Sequence, residues 1–152
     1  MADVMTRRSG PRPRPVLERL ISKIEVGGPV PTWAPFLGSC WIWTGAKHPD
    51  GYGRIGVGSR TDGSRRSRGA HVVAYELLVG PIPEGLHLDH LCRTPSCVRP
   101  DHLEPGTPAE NLLRGQGWAA RNARKTKCPA GHNYDGRVGD RRTCSQCRKA
   151  QA

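Results

Sequence analysis

Six cysteines in 152 residues are spaced here as metal ligands are spaced. Cys92-x4-Cys97-x4-His102 places three ligands in eleven residues, with Pro95 and Pro100 bending the loop between them. Further on, Cys128-x3-His132 and Cys144-x2-Cys147 form two paired arms around the polar loop GHNYDGRVGDRRTC. A closed structural zinc site takes four thiolate or imidazole ligands. The second set supplies all four and reads as a zinc ribbon or knuckle over residues 128–152, since a redox CxxC would sit in a βαβ pattern that this chain lacks. The first set supplies three. Its fourth ligand is Cys40, the only cysteine left, or else His87 or a water.

Cross-links of this kind suit the composition. Hydrophobic residues make 36% of the chain with a single Phe, and 19 Gly and 14 Pro favour turns over long regular elements, so burial alone builds little core. The formal charge of +11, with basic residues recurring from Arg7 to Lys149, points to a polyanionic partner, nucleic acid first. No apolar run approaches the roughly 20 residues of a membrane span, and MADVMTRRSGPRPRP has no apolar signal core, so a reducing cytoplasm and no membrane are expected. In that compartment short-spaced cysteines are ligands rather than disulfides.

Along the chain, residues 1–15 read as a disordered basic arm. VLERLISKIE (16–25) carries apolar residues at helical spacing, CWIWTG (40–45) and GYGRIGV (51–57) read as strands, and AHVVAYELLVG (70–80) as a short buried helix. Between the last two lies an arginine-rich hairpin tip or loop suited to phosphate contact, with Arg60, Arg65, Arg66 and Arg68. His48 and His71 read as surface or structural histidines. LHLDHL forms a strand, and Thr107-Pro108-Ala109-Glu110 is a capping box that starts a helix at Thr107, with Asn111 in its first turn. Residues 115–127 form a basic linker or helical extension. The whole is a small α+β chain whose central domain spans 16–114.

With Cys92, Cys97 and His102 given to zinc, His90 and Asp89 remain beside the site with no structural duty. The order is strand, metal-braced loop, strand, helix. Asp89-His90-Leu91-Cys92, Cys97-x2-Pro100-x-His102-Leu103 and Glu110-Asn111 resemble the HNH endonucleases of the ββα-metal (His-Me finger) superfamily, of the phage type, and the related His-Cys box homing endonucleases. The likeness is dense over 86–114 and looser over CWIWTG, GYGRI and AHVVAYE. It implies a ββα-metal core, His90 as general base, and Asn111, 21 positions later, as ligand to a catalytic Mg²⁺ or Mn²⁺. It also supports Cys40 as the fourth ligand of the first zinc. Asp89 departs from the His-Cys box pattern but matches the Asp-His pair of other HNH enzymes, where the Asp is a second ligand to the catalytic metal. His102 binds that metal in some of them, yet its spacing to Cys97 favours zinc.

The chemistry fits those residues. Phosphodiester hydrolysis needs a base of near-neutral pKa to deprotonate water, and a hard cation held by oxygens to stabilise the leaving oxygen. Related enzymes supply an arginine to the scissile phosphate, for which Arg54, Arg66 and Arg68 are candidates. The expected activity is cleavage of DNA, double-stranded first, leaving 5′-phosphate and 3′-hydroxyl ends. Two alternatives stand beside it: a noncatalytic, zinc-stabilised DNA-binding protein, and a nuclease acting on RNA. The resemblance implies a phage or mobile-element origin, hence a host-cell cytoplasm. Target sequence, nicking against double-strand cutting, and monomer against homodimer do not follow from the residues.

Overall fold

The computed structural model describes residues 14–150, so the basic arm lies outside the described residues except for its last two positions. The chain divides into two compact units, one up to Gly106 and one from Thr107.

In the first unit the opening helix α1 (Val16–Ile21) is shorter than its apolar spacing suggests. It stops at Ser22, and Ile24–Val26 becomes strand β1, pairing antiparallel with β2 (Trp41–Trp43) so that Ile24 faces Trp43. β-Branched residues opposite an aromatic strand gain more by cross-strand packing than by extending a short helix. β2 is also flanked by the metal-ligand loop: Trp43 N donates to Ser96 O at 2.8 Å and Val98 N to Trp41 O at 2.8 Å. The loop therefore belongs to the core of the unit.

Strands β3 (Arg54–Val57) and β4 (Arg66–Gly69) form a hairpin whose tip is the arginine-rich segment. β4 runs directly into helix α2 (Ala70–Leu78), and both guanidinium Nη atoms of Arg68 grip Glu76 at 2.6 Å, tying strand to helix. Leu20, Trp43, Ile55, Ala70, Val73, Ala74 and Val98 make the buried cluster. Gly53 is required at its edge, because a Cβ there would lie 2.5 Å from Trp43 Cδ1. A second hairpin, β5 (His87–His90) with β6 (Leu103–Gly106), pairs Asp89 with Glu104 and His90 with Leu103. The metal-ligand loop is the connection between its strands.

The second unit opens at α3 (Pro108–Arg114) with the capping box that the sequence foretells: Thr107 Oγ1 accepts from Glu110 N at 3.2 Å, and Thr107 N donates to Glu110 Oε2 at 2.8 Å. Helix α4 (Trp118–Ala123), hairpin β7 (Gly136–Val138)–β8 (Arg141–Thr143) and helix α5 (Ser145–Lys149) follow. Among the described residues of this unit, the buried apolar side chains are Ala120, Cys128 and Cys144. Arginine bonds to main-chain carbonyls take the place of an apolar core. Arg124 Nη2 donates to Leu113 O at 2.9 Å and Gly115 O at 3.1 Å, and Arg142 donates to the carbonyls of Asn122, Ala123 and Lys125. No helix among the described residues is long and apolar enough to cross a membrane.

Candidate active site and metal centres

Asp89 and His90 close strand β5, and both are buried. His90 Nε2 lies 3.0 Å from the main-chain oxygen of Cys97. A carbonyl only accepts, so Nε2 carries the proton and donates, and Nδ1 is left with a free lone pair. Burial pushes the His90 pKa down, against the upward pull of the Cys97 carbonyl. The imidazole is thus held neutral with one nitrogen ready to accept a proton.

Two rings enclose it. His71 sits 4.8 Å from His90 and Tyr52 5.5 Å, centroid to centroid. His71 is driven down to about 4, first by burial and then by the proximity of His90, and its Nδ1 is buried without a hydrogen bond. Asp89 is engaged on one side only: Oδ1 accepts from Arg93 Nη1 at 2.6 Å, while Oδ2 is buried with no partner among the described residues. Arg93 reaches it from a left-handed position, φ 55, on the turn after Cys92. On α3, Asn111 Oδ1 is likewise buried and unpartnered. Buried oxygens rarely go unpaired, and orphaned carboxylate and amide oxygens are the donors a hard cation takes.

The cysteines fall into two clusters, one per unit. Cys40, Cys92, Cys97 and His102 are all buried with their ligand atoms within 4.8 Å of one another. His102 Nδ1 faces Cys40 Sγ at 3.5 Å and Cys97 Sγ at 3.6 Å, while its Nε2 donates to Leu37 O at 2.9 Å. That second bond fixes the tautomer which leaves Nδ1 free to ligate. The thiol of Cys92 is pulled down to about 4 by the hydrogen bond from Cys97, whose own pKa rises as the donor. His87, the other candidate ligand, is an exposed strand residue. The second cluster, Cys128, His132, Cys144 and Cys147, places His132 Nδ1 at 3.5 Å from Cys147, 3.7 Å from Cys144 and 3.8 Å from Cys128. Three thiols and an imidazole suit zinc, and either cluster can hold it.

A family model described as HNH endonuclease matches residues 68–113, the stretch from β4 through α3 that carries Asp89, His90 and Asn111. This chain belongs to the HNH endonuclease family. It is 38% identical over 72 residues to Protein 7.7 of Escherichia phage T7, a match covering 47% of this chain and 51% of that one. Protein 2.8 of the same phage is 35% identical over 72 residues, with 47% of this chain and 45% of the relative covered. The Uncharacterized gene 5.3 protein of Enterobacteria phage T3 is 34% identical over 68 residues, with 45% and 67% covered. The chain therefore spans about half the length of the two T7 proteins it matches, and these relatives are phage proteins, as the resemblance implies. No solved structure matches it.

Around the HNH motif the five candidate arginines separate. Arg54, exposed, is steadied by Ser67 through Nε–Oγ at 3.1 Å and Nη2–O at 3.2 Å, and borders an open groove of about 300 Å³ shared with Tyr52 and His71. Arg60 and Arg65 line a different groove, and Arg66 is exposed on β4. Arg68 is committed to Glu76. Three residues of the HNH surroundings escape a reading of the sequence: Tyr52, His71 and Arg93. For His71 a signal exists in the preceding glycine, since a Cβ at Gly69 would lie 2.9 Å from the imidazole Cε1.

Proposed function

We propose that this chain is a metal-dependent HNH endonuclease that hydrolyses DNA phosphodiester bonds, with His90 as the general base. The observation that carries the reading is the bond from His90 Nε2 to the Cys97 carbonyl, which leaves Nδ1 as the acceptor in a buried, neutral ring. His90 Nδ1 takes the proton of the attacking water, and the Cys97 carbonyl steadies the imidazolium that results. The ring walls of Tyr52 and His71 hold the imidazole in place. Arg93 fixes one oxygen of Asp89, so that the other is held at a constant position.

Asp89 Oδ2, with Asn111 Oδ1 assigned by family resemblance, would hold Mg²⁺ or Mn²⁺. Hard oxygen donors left unpaired in both side chains fit such an ion better than the thiolate clusters do. When bound, that ion supplies positive charge to the phosphate and to the departing 3′ oxygen. Arg54 borders the groove beside His71 and is the best placed of the candidate arginines to meet a phosphate. Strands β5 and β6 with α3 serve in this reading as the ββα-metal core, the first zinc braces the loop between the strands, and residues 128–152 act as a zinc ribbon. Products carry 5′-phosphate and 3′-hydroxyl ends.

Plasmid cleavage with Mg²⁺ or Mn²⁺, on protein whose zinc content is measured, is the test. Wild type is expected to cut and His90→Ala to fail. Equal behaviour of the two removes His90 as the base, binding with no cutting under either metal returns the chain to a DNA-binding role, and faster digestion of RNA reassigns the substrate.

A further inference from the structure

The charge of the chain is unevenly shared. From Thr107 onward ten side chains are Lys or Arg and three are Asp or Glu, so fewer than a third of the residues hold +7 of the formal +11. Two of those three carboxylates are spent on local structure. Glu110 caps α3, and Asp135 accepts from Ser145 N at 2.9 Å at the start of α5. Three thiolates on one zinc ion would subtract a single further charge. A unit with three buried apolar side chains among its described residues has little cohesion to set against self-repulsion of this size, and repulsion of this kind is relieved by a polyanion.

The cations are also sorted by role. Arg124 and Arg142 turn inward onto main-chain carbonyls and hold α4 against its neighbours. Lys125 and Lys127 are exposed, and together with Asn122, Thr126, Tyr134 and the carbonyl-bound Arg124 they line a groove of about 490 Å³ with no carboxylate on its walls. The groove is built on rigid backbone: Tyr134 N donates to Thr126 O at 3.0 Å, Lys127 bridges to Asn133, and Cys128 N donates to His132 O at 2.8 Å. Two ammonium groups, two hydroxyls and an amide on a fixed turn are the donors that phosphate oxygens accept from, and none of them need read a base.

We infer that the unit from Thr107 is a DNA-docking surface in its own right, whose Lys125–Lys127 groove takes the phosphate backbone of the duplex independently of its sequence. The inference rests on the nuclease reading only for the identity of the polymer. Binding here needs neither His90 nor a catalytic cation.

The test uses the full chain, loaded with zinc and with Mg²⁺ omitted, and follows the anisotropy of a short labelled DNA duplex over a range of salt concentrations. Each phosphate contact contributes about 0.9 to the slope of log K against log salt, so K125Q/K127Q is expected to lower the slope by about 2 and to weaken binding roughly ten- to sixtyfold at ~0.1 M salt. Lys125→Arg with Lys127→Arg restores both. An unchanged slope and affinity in the glutamine variant overturns the proposal. As a measurement on the wild type alone, the duplex is expected to shield Lys125 and Lys127 from amine acylation, and undiminished labelling of both overturns it equally. Tighter binding of an RNA duplex with the same shielding overturns the assignment to DNA. Cleavage is not read in any arm, so loss of nuclease activity and loss of docking are seen separately.

Discussion

The two Cys/His clusters share a ligand formula and differ in what surrounds them. Around Cys40, Cys92, Cys97 and His102 lie a tryptophan-centred core and two hairpins, and all four ligands have no solvent exposure. Around Cys128, His132, Cys144 and Cys147 there is a short hairpin, two short helices and an excess of cations. With zinc bound, the first cluster would brace a fold that burial already favours, and the second would substitute for a core. The unit with the better core thus carries the buried Asp89-His90 pair, while the unit from Thr107 carries most of the charge excess on a surface with little core beneath it.

The strongest way to break this comparison is Cys144→Ser. Small structural zinc sites contribute on the order of 10 kcal/mol to the folding of their own module, so the variant is expected to lose one zinc and the hydrogen-exchange protection of β7, β8 and α5, with β2 and α2 still protected. Retained protection in the second unit would mean that it has a cohesion beyond metal and arginine. Next in size is His90→Ala, for which cleavage should fall by about 10²- to 10⁴-fold, while the zinc content stays at the wild-type value. A fall in zinc instead would make His90 part of the brace rather than of the chemistry.

A smaller effect sharpens the picture of the first unit. His71 titrates at about 4 when folded against 6.5 unfolded, so the unfolded chain binds more protons as acid is added. The stability associated with the neutral ring is complete above pH 6.5 and is lost as pH falls through about 4, to a total of about 3 kcal/mol at most. Urea titrations across that window should show wild type losing more stability than His71→Phe; parallel curves would contradict the burial assigned to His71. Smallest is Thr107→Ala, which removes the cap of α3 at a cost of about 1 kcal/mol, read as faster amide exchange at Glu110 and Asn111. No change there would show that α3 is held by something other than its own cap.

What could be read from the residues depended on sequence distance. The capping box at Thr107, helix α2 ending before Gly80, and strand β5 were legible because backbone bonds between near neighbours decide them. The reading failed at Ile24, where helical spacing continued but pairing with Trp43, nineteen positions away, won. For Arg68 the sequence showed one arginine among several, and only the fold showed Glu76, eight positions on, accepting from both its Nη atoms.

The same division separates composition from geometry. By itself the sequence determined the four ligands of the second cluster, three of the first, the Asp89-His90 pair, the charge excess and the family to which the chain belongs, since ligand spacing and motif residues are properties of the chain read in order. Tertiary structure alone decided that Cys40 joins a cluster 52 positions downstream, that the Cys97 carbonyl fixes the His90 tautomer, and that His71 and Tyr52 wall the imidazole. Each of those depends on side chains and carbonyls meeting across the fold, and such meetings are set by the packing of the core around Trp43 rather than by any local propensity.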